Sequence, residues 1–378
     1  MSGVRAKRRI LHLHSSFDAG GKEVRCARLI NALGREVEHA IVSGDPGRRA
    51  AARFLNPAAR VSWPDFPPLS GRPTLGRLKR LAEAMRGYDL ICTYNWGAMD
   101  AALAHTLFAD VCQLAPLVHH EDGFNEDEAV KLKWRRNFYR RIALGRAAAL
   151  VVPSRALERV ALEVWQQPRP RVRLIPNGID TAAYGATPPR DALPRLIKRR
   201  GEYWVGTLAG LRPVKDLPAL VAGFAGLPDE WHLVIAGEGP EREAILAEAE
   251  ARGVEDRVHL PGLVDKPWKL VGLFDIFALS SRSEQFPISV MEAMAAGLPV
   301  AAPRLGDIPS MVASDNGPLL TEPGDAPALA ASLALLAGDA ELRHRIGTAN
   351  RARAKAEYDE GRMVERYRAL YFGLMDGR

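Results

Sequence analysis

The feature that most limits the folds open to this chain is an alternation repeated almost from end to end. Short apolar runs of strand length, closed by Gly, Pro or Ser, take turns with longer segments of helical periodicity. In the first half "RRILHLHSS" precedes the helical "GKEVRCARLINALG". "VEHAIVSG", "YDLICTYN", "QLAPLVHHE" and "AALVVPS" follow as strands with helices between, and "RVRLIPNGID" closes the half. Ser154 stands where it would cap "RALERVALEVW". After the Pro- and Arg-rich "TPPRDALPRLIKRRG" the scheme restarts with "YWVGTLAG", "WHLVIAG", "RVHLPG", "DIFALSS" and "PVAAPR". Such strands predict parallel sheets covered by helices on both faces. Two runs predict an α/β chain of two doubly wound, Rossmann-like domains facing across a cleft. The length of 378 residues fits, at ~100–200 residues per domain. The expected boundaries are 1–176, 177–360, and a last amphipathic helix, 361–378, that either domain could receive and whose expected place is on the first.

Charge is uneven. The chain carries +7 in all, but residues 1–175 carry +12 and the remainder −5. A basic half suits a polyanionic partner, or is simply an Arg-rich surface. No nucleic-acid reading module is present, so nucleic acid is not an expected partner. In "KLKWRRNFYRRIALGR" (131–146), Trp134, Phe138 and Ile142 recur every four residues among cations. The stripe is expected to pack on the sheet, leaving a cationic face able to attract an anionic membrane. Cys26, Cys92 and Cys112 have no metal-site spacing and read as free buried thiols of a reducing compartment. No apolar run approaches the ~18 residues of a spanning helix. The N-terminus lacks a cleavable leader pattern. A cytoplasmic location is expected, either soluble or peripheral at the inner face of the cytoplasmic membrane.

In doubly wound domains ligands meet the loops beyond the strands' carboxyl ends. "SEQFPISVME" places Glu284 on such a loop and Glu292 eight positions later, within a helix that Pro287 begins and Gly297 ends. Ile288, Met291 and Ala295 are expected to form its core stripe. Free N–H groups at the helix start can bind an anion. Glu292 could then accept hydrogen bonds from vicinal ribose hydroxyls, and Glu284 from a second sugar. The plain alternative is two solvated surface acids. In "GTLAGLRPVKD", Arg212 and Lys215 could clamp a diphosphate and neutralise it as it leaves, or be a basic surface turn. "GEGPER" carries Arg242 where a dinucleotide fingerprint needs its third glycine, so it is no NAD signature. Gly20 and Gly21 let a ligand approach the backbone after the first strand. His119, His120, Glu121 and Asp122 form a polar cluster at the end of an apolar run. A metal site there lacks a second ligand group of fitting spacing; contact with an acceptor or reacting sugar is the alternative.

Taken in order, "DAGGKE", "VVPSRALERV", "VRLIPNGIDTAAY", "VGTLAGLRPVKD", "LVIAGEGPERE", "VHLPGLV" and "SEQFPISVMEAMAAGLPVAA" resemble the retaining, nucleotide-sugar-dependent glycosyltransferases of the GT-B fold, family four. The resemblance runs nearly the whole length. It implies transfer of a sugar from a UDP- or GDP-linked donor to a glycan or lipid-linked acceptor in cell-surface polysaccharide or glycolipid synthesis. It also implies no metal and no cofactor beyond the donor; no DxD is present, the nearest acidic run being Glu126, Asp127 and Glu128. The donor should lie in the second domain. Glu292 would hold its ribose and Glu284 its sugar, with Phe286, Pro287 and Ile288 offering backbone groups and Leu263 and Val264 bordering the base. Lys215 matches the family lysine on the diphosphate, and Gly20 and Gly21 match the glycine loop. His119 is the first candidate for the family's acceptor-side histidine and His120 the second; some relatives carry histidine where Asp122 stands. The implied catalytic set is His119, Arg212, Lys215 and Glu284. One departure is plain: the family arginine position is Gly210 here, and Arg212 comes two residues later. A sugar-nucleotide epimerase or a phosphorylase on the same fold is the rival activity.

Overall fold

The strand "RRILHLH" (β1, Arg8–His14) shows why each half folds as it does. Its apolar residues alternate between two faces, and both faces are buried: Leu11 and Leu13 join one core cluster and Ile10 the other. The strand therefore belongs at the centre of a covered sheet. The computed structural model describes residues 8–123, 128, 133–192 and 196–377. Glu126, Asp127 and Lys131 lie outside them.

The chain divides into two compact units, one running to Pro176 and resuming at Met363, the other Asn177–Arg362. The first holds β1, β2 (Val37–Ser43), β3 (Val61–Ser62), β4 (Leu90–Tyr94), β5 (Leu117–His120), β6 (Ala149–Val152) and β7 (Val172–Leu174). They are ordered β3-β2-β1-β4-β5-β6-β7 and paired in parallel throughout. Ser154 caps the helix after β6, its hydroxyl accepting the Leu157 N–H at 3.1 Å. The last helix, Glu360–Asp376, presents Met363, Tyr367, Tyr371 and Met375 at four-residue spacing to the Ile10 face of this sheet.

The second unit holds β8 (Tyr203–Leu208), β9 (Trp231–Ala236), β10 (Val258–Gly262), β11 (Ile276–Ala278), β12 (Val300–Pro303) and β13 (Leu320–Thr321). Their order is β10-β9-β8-β11-β12-β13, again parallel. Val205, Leu233 and Ile276 face one core, and Trp204, Val234 and Phe277 the other. In both sheets the strand order reverses once, between β1 and β4 and between β8 and β11. At those points the loops part to opposite faces and leave a crevice at the carboxyl ends.

Two local expectations are corrected. The core stripe of the helix Ile288–Ala296 is Val290, Met291 and Met294 with Ala295, while Ile288 is exposed. Ile288 is the first helical residue, so its side chain lies beyond the turns that pack on the sheet. The stripe Trp134, Phe138 and Ile142 does not pack on the sheet either. The helix Trp134–Ala143 seats Arg140 and Ala143 in the interior and leaves all three apolar residues exposed.

Candidate active site

The crevice of the second unit gathers the residues that the sequence singles out. The loop after β8 makes a turn at Pro213–Lys215 and ends on Asp216, whose φ of 48° is unusual for a residue with a side chain. The loop after β11 runs against it. Ser280 donates its hydroxyl to the Lys215 carbonyl at 2.9 Å, and the Arg282 N–H donates to the Val214 carbonyl at 2.8 Å. So braced, Lys215 Nζ donates to Glu284 Oε1 at 2.6 Å, and Ser281 Oγ to the same oxygen at 2.7 Å. Lysine and carboxylate are both mostly buried, so the pair is a preformed charge arrangement rather than a solvated contact.

Arg212 is exposed on the same turn, and its side chain folds back over Gly210. A Cβ added at Gly210 would lie 3.4 Å from Arg212 Nε. The guanidinium thus lies in van der Waals contact with the point at which a side chain at position 210 would begin.

A cavity of ≈ 380 Å³ lies at the ends of β8, β9 and β10, lined among others by Leu208, Gly210, Glu238, Leu263, Val264 and Glu292. That volume suits a small organic ligand. "GEGP" shapes its floor. Gly237 has a φ of 150°, and a Cβ there would come within 1.8 Å of the Ala209 carbonyl oxygen. The Leu211 N–H donates to the Glu238 carbonyl at 2.9 Å, and the Glu241 N–H to the Leu211 carbonyl at 3.0 Å. Gly237 and Gly239 bring two backbones together.

Glu292 reaches the cavity from the helix Ile288–Ala296. The Tyr184 hydroxyl, from the short helix Thr181–Gly185, donates to its Oε1. The Tyr184 ring is buried and meets Trp268 edge-on. Sequence reading did not single out Tyr184 or Ser281. Tyr184 stands 108 positions from Glu292, and no local pattern marks such a bond. Phe286 turns inward, its ring edge-on to Tyr358, and Pro287 is the helix N-cap.

The first unit places its candidates differently. Gly20 caps and Gly21 begins the helix Gly21–Leu33, directly after the β1 loop. His119 and His120 are the last residues of β5 rather than loop residues, and both are wholly buried. Strand alternation sends them to opposite faces. His119 Nδ1 lies 2.8 Å from Thr93 Oγ1, and its Nε2 is 3.6 Å from Glu121. Glu121, also buried, faces Arg140 Nε at 3.3 Å. His120 Nε2 lies 2.8 Å from the Tyr371 hydroxyl, and its ring stacks on Tyr94. Burial, then the nearby Arg25, holds the His120 imidazole well below its ordinary pKa, so it is neutral. Neither histidine presents a ring to solvent. Asp122 is the accessible member of the cluster, paired with Arg25 Nη2 at 2.8 Å. Cys26, Cys92 and Cys112 are free and buried, and burial pushes the Cys26 thiol up to about 12. Among the described residues no group of three or more His, Cys, Asp or Glu is placed to hold a metal ion.

Comparison with known proteins decides what such a crevice belongs to. The model for "Glycosyl transferases group 1" matches residues 193–353, and that for "Glycosyltransferase Family 4" matches 19–183. The chain belongs to the group 1 glycosyltransferases. The D-inositol 3-phosphate glycosyltransferase of Xylanimonas cellulosilytica is 27% identical over 398 aligned residues, covering 94% of each chain. The N-acetyl-alpha-D-glucosaminyl L-malate synthase of Bacillus anthracis is 29% identical over 170 residues, 44% of this chain and 45% of that protein. Among solved structures, Anabaena HepE in complex with UDP superposes with a TM-score of 0.79 at 20% identity, covering 97% of this chain and 100% of that one. Sucrose-phosphate synthase of Thermosynechococcus elongatus gives 0.74 at 22%, covering 98% and 100%. The fold of this glycosyltransferase is GT-B, with two Rossmann-like domains.

Proposed function

We propose that this glycosyltransferase moves a sugar, with retention, from a nucleoside-diphosphate sugar to a glycan or lipid-linked acceptor in cell-surface polysaccharide or glycolipid synthesis. One observation carries the reading. A carboxylate, Glu292, lines a cavity of ligand size at the carboxyl ends of β8, β9 and β10, and the loops after β8 and β11 hold a preformed Lys215–Glu284 pair. A nucleoside fits the cavity, with its base against Leu263 and Val264 and its ribose diol on Glu292. The diphosphate meets Lys215, Arg212 and the start of the helix Ile288–Ala296, whose free N–H groups favour an anion. Glu284 grips the transferred sugar. UDP, carried by the Anabaena neighbour, is the favoured donor nucleotide over GDP.

In the reaction the bond from the anomeric carbon to the diphosphate oxygen breaks through an oxocarbenium-like state. The acceptor hydroxyl attacks from the same face, and its proton passes to the departing diphosphate. Lys215 and Arg212 stabilise the charge gathering there, so neither a carboxylate nucleophile nor a metal is required. Glu284 has Lys215 against it, as befits a group that positions hydroxyls. His119 and His120 belong in this reading to the polar core of the first unit, and Asp122 with Arg25 is the acceptor-side pair that a substrate can reach. A peripheral location at the inner face of the cytoplasmic membrane is part of the same reading.

The test is a thermal-shift panel of UDP, GDP, ADP and their sugars. One nucleoside diphosphate is expected to raise the melting temperature. Glu292→Ala should weaken it about 10–100-fold, the range for lost hydrogen bonds to a charged group. Lys215→Ala should lower turnover about 100-fold or more. A panel that leaves the melting curve unmoved removes the donor site, and loss of turnover to EDTA restored by Mg²⁺ removes the metal-free mechanism. Without acceptor, slow release of nucleotide fits a transferase; sugar conversion without release indicates the epimerase alternative.

A further inference from the structure

The exposed stripe on the helix Trp134–Ala143 is the apolar feature that the proposed activity leaves unused. Trp134 is 72% exposed, Phe138 59% and Ile142 45%. A four-residue repeat of large apolar side chains normally seats a helix on its core, and here the interior takes the other side. Arg140 lies beneath, between Glu121 and Glu128 and close to the rings of Trp96 and Trp165. Arg136 also donates to Glu128, at 2.9 Å. These buried ion pairs fix the helix rotation, so the stripe cannot roll inward without stripping Arg140 of its carboxylates.

The neighbouring helix, Met99–Cys112, extends the surface. Tyr139 donates to Asp100, Thr106 Oγ1 donates to the Ala143 carbonyl at 2.7 Å, and Arg146 donates to Asp110. The two helices therefore run side by side in the same direction. Leu107 and Val111 on the second are 47% and 77% exposed. Five large apolar side chains on one helix pair is more than isolated surface residues explain.

Charge identifies the occupant. Residues 133–143, "KWRRNFYRRIA", contain no acid. Arg136 and Arg140 donate to Glu128, and Lys133, Arg135 and Arg141 are exposed beside the stripe. Arg135 lies over the Trp134 ring. Exposed aromatic residues flanked by long cationic side chains match the boundary between acyl chains and anionic headgroups. We propose that this helix pair docks the first unit on an anionic lipid bilayer, with Trp134, Phe138 and Ile142 entering the interface and Lys133, Arg135 and Arg141 meeting the headgroups. The proposal rests on the peripheral location read above and not on the donor site, and vesicle binding is measured without turnover.

The experiment is flotation of the full chain with vesicles of phosphatidylcholine alone or with about one third phosphatidylglycerol, where each cation near an anionic surface contributes about fivefold in partitioning. The chain is expected to float with the anionic vesicles, and less so at high salt. Arg135→Gln with Arg141→Gln should lower partitioning about 25-fold. Phe138→Ser should lower it about tenfold or more, with an unchanged melting temperature because the ring is exposed. Failure of the unaltered chain to float with anionic vesicles overturns the proposal, as does Phe138→Ser floating equally well. A lipid-free dimer abolished by Phe138→Ser also overturns it, because a second copy then covers the face.

Discussion

At the scale of single residues, the bond from Tyr184 to Glu292 sets what the carboxylate can do. A glutamate at a cavity rim has several rotamers, and a buried tyrosine that holds one oxygen leaves the other aimed in a fixed direction. Tyr184→Phe keeps the ring on Trp268 and removes only the hydroxyl. The expected result is UDP binding about tenfold weaker with kcat nearly unchanged, the loss of one hydrogen bond to a charged group. Preference for UDP over 2′-deoxy-UDP should shrink at the same time, a readout that a merely looser core would not move. Unchanged ribose preference in Tyr184→Phe, alongside its loss in Glu292→Ala, would mean that Glu292 is oriented by other contacts. If Glu292→Ala also keeps the preference, the ribose assignment itself is wrong. Glu284 and Glu292 were both legible in the sequence as candidate ligands. Their partners were not, because Lys215 is 69 positions from Glu284 and Tyr184 is 108 from Glu292. Periodicity and motif spacing report local geometry, and neither carries contact information over such separations.

At the scale of elements, the loops after β8 and β9 stand or fall together. Gly237 packs its α-carbon against the Ala209 carbonyl, where a Cβ has no room and the backbone angle already disfavours a side chain. Gly237→Ala should cost about 2–4 kcal/mol, the range for strained backbone with a clash. It should also weaken nucleotide binding, since the displaced strand ends carry Gly210, Arg212 and Lys215. Gly226→Ala, where nothing lies within 4 Å of the added carbon, is the control and should be near neutral. Equal urea midpoints for the two variants would remove the brace. Strands and helices were legible because each obeys its own period over enough residues. The orientation of the helix Trp134–Ala143 was not. Its sequence shows an apolar stripe and a cationic side, and hydrophobicity alone places the stripe inside. Glu128 and Glu121 reverse that by drawing Arg140 inward, and an ion pair between elements leaves no mark on the helix's own pattern.

At the scale of the whole molecule, the two sheets are built from different material. The first carries a buried polar layer: His12 Nε2 lies 3.0 Å from His39 Nδ1, His12 Nδ1 is 3.0 Å from the Tyr94 hydroxyl, and His14 and His120 stack on Tyr94. Burial holds His12, His14 and His120 well below their ordinary pKa and brings His39 down to about 4. In the unfolded chain each takes up a proton near pH 6.5. Between about pH 6.5 and 4 the unfolded state thus binds more protons than the folded one, so stability rises with pH there and is lost on acidification. Above pH 7 both states are neutral and the contribution is flat. Each histidine contributes up to about 1.4 kcal/mol per pH unit. Urea unfolding at pH 7.5, 6 and 5 should show a steep loss, shallower in His39→Gln. Equal stability at pH 5 and 7.5 would contradict a neutral buried layer.

The sequence by itself determined the α/β alternation, the parallel sheets, the family and the loops proposed to carry its chemistry. Each of these is written in short-range pattern: strand period, helix period, turn residues and motif order. Tertiary structure decided which side chains those loops bring together and which faces are covered. It paired Lys215 with Glu284, set Tyr184 behind Glu292, buried His119 and His120 on opposite faces of β5, and left Trp134, Phe138 and Ile142 exposed. The physical reason is the same in each case. A residue's period fixes the side of its element on which it lies, and only the packing of other elements fixes what meets that side.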